Sequence, residues 1–282
     1  MTAQIIDGRQ IANRILEEIK TNIEKSATAP KLAIILVGND EASLIYVHNK
    51  QAAAQKVGIM TELHHLPDSA SEADIINLID KCNEDAAVNG IIVQLPLPKH
   101  LNTNKIINRI SPQKDVDGFH PYNTGLLQNN EEPYFIAATP LGIITMLKTV
   151  VPDLSGKNVV LIGASLIVGR PLATLLLNME CTVTVTHIHT RNIKELTAKA
   201  DILVAACGVA KMVKKDWIKD GAVLIDVGIN HENGKLCGDI DFEDVEQKAL
   251  AITPVPGGVG PMTVAMLLQN TWRAYLLQNK GL

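Results

Sequence analysis

The chain has 282 residues, a formal net charge of −4 and 46% apolar content. That length suits two domains with ample core, and mixed charge without a long basic run leaves no footprint for nucleic acid or a membrane surface as partner. Cys82, Cys181, Cys207 and Cys237 form no CxxC pair, which argues against a disulfide framework and a zinc site, so no metal is expected. Asp7 and Arg9 stand where a signal peptide needs an apolar stretch, and no apolar run is long enough to span a bilayer. A reducing cytoplasm is the expected location.

In chain order, "KLAIILVGND" reads as a strand and "SLIYVHNKQAAAQKVGI" (43–59) as an amphipathic helix. Ser43, Tyr46, Lys50, Ala53 and Val57 recur at steps of three and four, so they share one face, whose apolar far end predicts inward packing. A lysine on such a face, with a tyrosine one turn before it, needs a reason. "SEADIINLIDKCNED" is a helix capped by Ser71. "NGIIVQLPLP" is a strand ending at Gln94, where two prolines forbid further ladder pairing. Periodicity fails over 111–139, a stretch holding Asp115 and Asp117 in "KDVDGF", and irregular segments of this length are usually functional or linkers. Thr139-Pro140 then reads as an N-cap with proline at the first helical position, and the domain boundary falls near residue 140.

The second half supplies five strand candidates, "KNVVLIGAS", "TVTVTH", "ADILVAAC", "AVLIDVGI" and "LAITPV", with helices or loops between them, and one last helix, "MTVAMLLQNTWRAYLLQNK". This alternation predicts an α/β architecture of two domains built on parallel sheets. In "VVLIGASLIVGRP" a buried strand meets Gly163 before a helix, the place where a doubly wound fold binds pyrophosphate. The spacing is G-x-S-x-x-x-G rather than G-x-G-x-x-G, so a tight turn with Gly169 easing helix–sheet contact is the alternative. Other strands also end in glycine or proline, at Gly208, Gly228 and Pro254 to Gly258. Four strand ends open to close backbone approach favour a dinucleotide site. The second strand ends at "THIHTRN" without the carboxylate that would hold an NAD ribose, while His187, His189, Arg191 and Arg170 offer a basic edge. NADP is therefore expected, although the histidines also suit a solvated strand end.

Together "YVHNKQAAAQKVGI", "VQLPLP", "KDVDGF", "TPLGI", "GASLIVGRP", "IDVGIN" and "TPVPGGVGPMT" resemble the methylenetetrahydrofolate dehydrogenase/cyclohydrolase family over nearly the whole chain. The resemblance implies a folate-binding catalytic domain over 1–139, joined by a C-terminal helix of about 262–282, and a Rossmann-like NADP-binding domain over 140–261. It implies oxidation of methylene-tetrahydrofolate with NADP⁺, hydrolysis to 10-formyl-tetrahydrofolate, a place in one-carbon metabolism and purine biosynthesis, and a homodimer. Carried over, Lys50 is the general acid/base of hydrolysis, Tyr46 stacks on the folate, Gln94 holds the lysine and Asp117 binds the pterin. Ser43 matches a polar position of the same helix. Gly163, Ala164, Ser165 and Ile229 fall where the family binds NADP, and Pro256, Gly257 and Gly258 where its ligands approach. Some relatives carry arginine at the position of Ala164 and serine at that of Ile188, near the extra phosphate; Arg170, His189 or Arg191 are the substitutes here. The methenyl intermediate is a cation, so a lysine able to lose its proton escapes repulsion and can activate water. The rivals are a shikimate-type NADP dehydrogenase, which lacks the Tyr-x-x-x-Lys helix and the PGGVGP turn, and a non-catalytic nucleotide-binding protein.

Overall fold

The computed structural model describes residues 2–232 and 234–280. The first half runs β1 (Gln4–Ile5), α1 (Gly8–Ile23), β2 (Lys31–Val37), α2 (Glu41–Val57), β3 (Met60–Leu66), α3 (Glu72–Glu84), β4 (Gly90–Val93), α4 (Thr103–Ile107), α5 (Pro121–Gln128) and α6 (Ala138–Lys148). The second runs β5 (Asn158–Ile162), α7 (Gly169–Asn178), β6 (Thr182–Thr186), α8 (Ile193–Thr197), β7 (Ile202–Ala205), β8 (Val223–Asp226), β9 (Asn230–Glu232), β10 (Lys235–Cys237), α9 (Phe242–Val245), β11 (Ala251–Ile252) and α10 (Val259–Lys280). Among the described residues no helix is long and apolar enough to cross a membrane.

The chain forms two compact units. The N-terminal unit comprises Asn13–Ala138 and the chain from Val264 onward. Its parallel sheet has the order β3-β2-β4. From Leu32 to Val37 every side chain of β2 is buried, as a central parallel strand covered on both faces requires. Ser71 caps α3 in a reciprocal capping box with Asp74. α10 is pinned into this unit by Asn270, whose amide donates to the carbonyls of Val116 and Ile136, both at 2.9 Å.

The C-terminal unit comprises Thr139–Thr263 and the residues up to Ala12. Its sheet is parallel throughout, in the order β1-β11-β8-β7-β5-β6, and buries apolar side chains such as Val160, Leu203 and Leu224. Here the sequence-based boundary is corrected: β1 pairs with β11, which draws the N-terminus into this unit rather than into the first domain.

Three local expectations also change. The segment over 111–139 holds a helix, α5, with the His120 ring accepting from Tyr122 N–H and Pro121 at its first position. Thr139 lies inside α6 instead of capping it, and its hydroxyl bonds that of Thr263 at 2.9 Å. α10 starts at Val259, within the glycine-rich turn.

Candidate functional site

On α2 the buried side chains are Ser43, Val47, Ala54 and Val57. Their spacing of 4, 7 and 3 leaves one gap, and Lys50 fills it, the one charged residue of the packed stripe. Tyr46 and Ala53 flank that stripe rather than forming it, and Tyr46 is 38% exposed; this corrects the expected face. Lys50 therefore lies where a helix must pack, which keeps its amine near the sheet. Its Nζ donates to Gln94 Oε1 at 3.0 Å. Gln94 follows β4, is buried, and donates through Nε2 to its neighbour's carbonyl, Leu95 O, at 2.7 Å. The next bond, Leu95–Pro96, is cis.

Asp117 joins this group. Burial pushes its carboxyl above the ordinary carboxylate range, and the Lys50 charge draws it partway back. Burial also raises the Tyr46 phenol. Ser43 stands apart: its hydroxyl and its N–H both bind Asp40 at the start of α2, at 2.8 and 2.9 Å.

The "KDVDG" turn is fixed from several sides. Lys114 reaches the C-terminal end of α3 and donates to the carbonyls of Cys82, Asn83 and Asp85 at 3.0, 2.8 and 2.7 Å, a cation where the helix dipole favours one. Asp115 bridges to Ile91 of β4, and its carboxylate accepts from Asn123 Nδ2 and the N–H groups of Phe119 and His120. Desolvation still outweighs these donors, with Asp117 adding repulsion, and lifts Asp115 to about 7. Gly118 sits at φ 72°, and a Cβ there would meet Ala137 N at 2.5 Å; only glycine fits.

In the C-terminal unit β5 runs into Gly163, at φ 117°, whose own backbone N–H bonds Thr186 O at 3.0 Å. A Cβ on Gly163 would collide with Ala206 O, and one on Gly169 with Gly163 O. Both glycines are thus needed for close packing of backbone on backbone, which holds this loop at the carboxyl end of β5, the place where a parallel sheet of this kind binds a pyrophosphate. α7 begins at Gly169, later than expected, and the Ser165 hydroxyl accepts from Val168 N–H at 3.2 Å ahead of it. Arg170 is exposed and donates to Ala164 O at 3.2 Å. Arg191 is exposed in the turn after β6, where His187 and His189 meet edge to face and Ile188 is 92% exposed.

Ile229 and the turn Pro256-Gly257-Gly258 come together around one cavity of about 90 Å³. The Val255–Pro256 bond is cis, and Gly257 lies at φ 108°. The start of α1 supports this turn: Arg9 N–H donates to Gly257 O at 2.9 Å, and a Cβ on Gly8 would collide with Gly258 O. Sequence reasoning missed Gly8, Lys114 and Asn270. The Asp7-Gly8 pair was the available signal for the first; an asparagine in a helix carries none.

Two family models match the chain: tetrahydrofolate dehydrogenase/cyclohydrolase, catalytic domain, over residues 6–117, and the NAD(P)-binding domain of the same family over 137–279. The chain belongs to the tetrahydrofolate dehydrogenase/cyclohydrolase family. Within that family it is 53% identical to the bifunctional protein FolD of Aquifex aeolicus over 277 residues, covering 97% of this chain and 95% of the relative. Bifunctional FolD from Campylobacter jejuni superposes with a TM-score of 0.95 at 44% identity, covering 99% and 100%. The Trypanosoma brucei enzyme of the family, solved with NADP cofactor and inhibitor, gives 0.93 at 35% identity, covering 98% of each chain. Shikimate dehydrogenase of Aquifex aeolicus, at 14% identity and a TM-score of 0.54 over 90% of this chain and 94% of its own, shares the fold alone.

Proposed function

We propose that the chain oxidises 5,10-methylenetetrahydrofolate to 5,10-methenyltetrahydrofolate with NADP⁺ and hydrolyses the product to 10-formyltetrahydrofolate. The observation that carries this reading is the Lys50–Gln94 pair beside Asp117 in a chain that matches the family along its length. NADP⁺, when bound, supplies the acceptor for the hydride that leaves the methylene carbon.

Lys50 serves the second step. Water attacks the cationic methenyl carbon and the Lys50 amine takes one of its protons; the bond from that carbon to N5 then breaks, N5 receives the proton from the ammonium, and the remaining hydroxyl proton passes to solvent as the formyl C=O forms. Gln94 orients the amine. The half-exposed Tyr46 ring gives a flat surface for the folate, and Asp117 hydrogen-bonds the pterin edge. Ser43 contributes by holding the start of α2 through Asp40. Gly163, Ala164 and Ser165 hold the pyrophosphate, Arg170 and Arg191 the 2′-phosphate, and Ile229 the nicotinamide end. Pro256, Gly257 and Gly258 line the cavity they share with Ile229.

Purified protein given methylene-tetrahydrofolate and NADP⁺ reduces the cofactor and releases 10-formyl-tetrahydrofolate. Absence of turnover would leave a non-catalytic nucleotide-binding protein. From the family we further infer a cytoplasmic homodimer supplying one-carbon units for purine biosynthesis; a single-chain mass in solution would contradict the dimer.

A further inference from the structure

Two buried aspartates lie behind the strand ends that carry the dinucleotide site, and neither has been given a role above. Asp226 ends β8 opposite Ala205 of β7. One of its oxygens accepts from Gly228 N–H and Asp239 N–H, both at 2.9 Å, and the other from Ile240 N–H at 2.8 Å. Its own N–H donates to Thr253 Oγ1, at the end of β11, at 2.8 Å. Asp239 follows the β9–β10 hairpin. Its Oδ2 accepts from Cys207 N–H at 2.7 Å and Gly208 N–H at 3.0 Å, and its Oδ1 from Asn230 Nδ2 at 2.9 Å.

The two carboxylates interlock through glycines. A Cβ on Gly228 would collide with the Asp239 carboxylate, and one on Gly238 with that of Asp226. Each aspartate thus requires a glycine next to the other. Burying two like charges is costly, and these two are stabilised by backbone and amide donors converging from two strand ends and a hairpin. The donors point inward, so the loops after β7 and β8 present their remaining atoms outward. Foremost among these are Val209 and Ile229, 50% and 49% exposed. Exposed apolar side chains on two immobilised loops suit a flat ring better than a phosphate.

We propose that Asp226 and Asp239 are positioning residues for the nicotinamide end of the cofactor, acting through the loops Cys207–Val209 and Val227–Ile229. This rests on the reading that the C-terminal unit binds NADP. The test is Asp239→Asn, which sets amide hydrogens against N–H donors without changing size. The KM for NADP⁺ rises about tenfold or more. The KM for methylene-tetrahydrofolate and the rate of methenyl hydrolysis, which needs no nicotinamide, move less than about twofold. Asn230→Ala removes one donor from Asp239 at a partly exposed site and gives a smaller rise of the same kind, about threefold, should Asp239→Asn not fold. An unchanged KM for NADP⁺ in a folded variant, or an equal fall in hydrolysis, overturns the proposal alone. An unsubstituted protein that turns over neither substrate overturns both the proposal and the reading beneath it.

Discussion

Lys50 Nζ and Gln94 Oε1 are 3.0 Å apart, joining the middle of α2 to the end of β4. The orientation of the glutamine amide follows from its other contact. Nε2 donates to Leu95 O at 2.7 Å, so the oxygen is the atom left to face the lysine. One ammonium proton is thereby engaged in a fixed direction, while Asp117 feels the same charge.

Asp117→Ala removes a carboxyl that burial has already pushed up. The KM for the folate substrate rises about tenfold or more, and that for NADP⁺ moves less than about twofold. Steady-state kinetics varying each substrate in turn measure the split; equal losses would mean that the substitution disturbs the fold instead.

Stability depends on pH through buried acids whose carboxyls burial pushes up, Asp117 among them. Asp115 is lifted to about 7 and Asp226 to about 6, from an ordinary value of 3.8. Each binds its proton more tightly folded than unfolded, so the folded state holds more protons across this window and stability falls as pH rises from about 4 to 7. Thermal unfolding at pH 5 and pH 8 checks this: the midpoint is higher at pH 5, and Asp115→Asn narrows the difference. A midpoint that rises with pH across the same interval contradicts it.

Arg191 is exposed after a strand end without the carboxylate of an NAD site, and Arg170 is exposed at the start of α7. In the double Arg170→Ala, Arg191→Ala variant the KM for NADP⁺ rises about tenfold while that for NAD⁺ changes little, since only NADP carries the extra phosphate. Parallel rises for both cofactors would place the arginines elsewhere in the site.

The central strands were legible because burial on both faces writes continuous apolar runs, as in β2 and β5. β3 escaped because it is an edge strand whose "TELHHL" mixes polar and apolar residues. β1 is two residues long, and nothing local announces its pairing with β11. α5 was hidden by Asn123, Thr124 and Gly125, poor helix formers placed in mid-helix. Lys50, Gln94 and Asp117 could be named from their motifs, whereas their proximity could not. The face of α2 was misjudged because Tyr46 and Val47 are neighbours on the helix, and only packing decides which of them turns inward. Asp239 stayed invisible since the partners of its Oδ2 are backbone N–H groups, which leave no trace in a sequence.

The most direct measurement is the rate of methenyl-tetrahydrofolate hydrolysis by Lys50→Met, a substitution that keeps the stem's bulk within the packed stripe and removes the amine. The rate falls by at least about 100-fold, with NADP⁺ affinity and the unfolding midpoint close to those of the unsubstituted protein. Hydrolysis at the original rate would contradict the account.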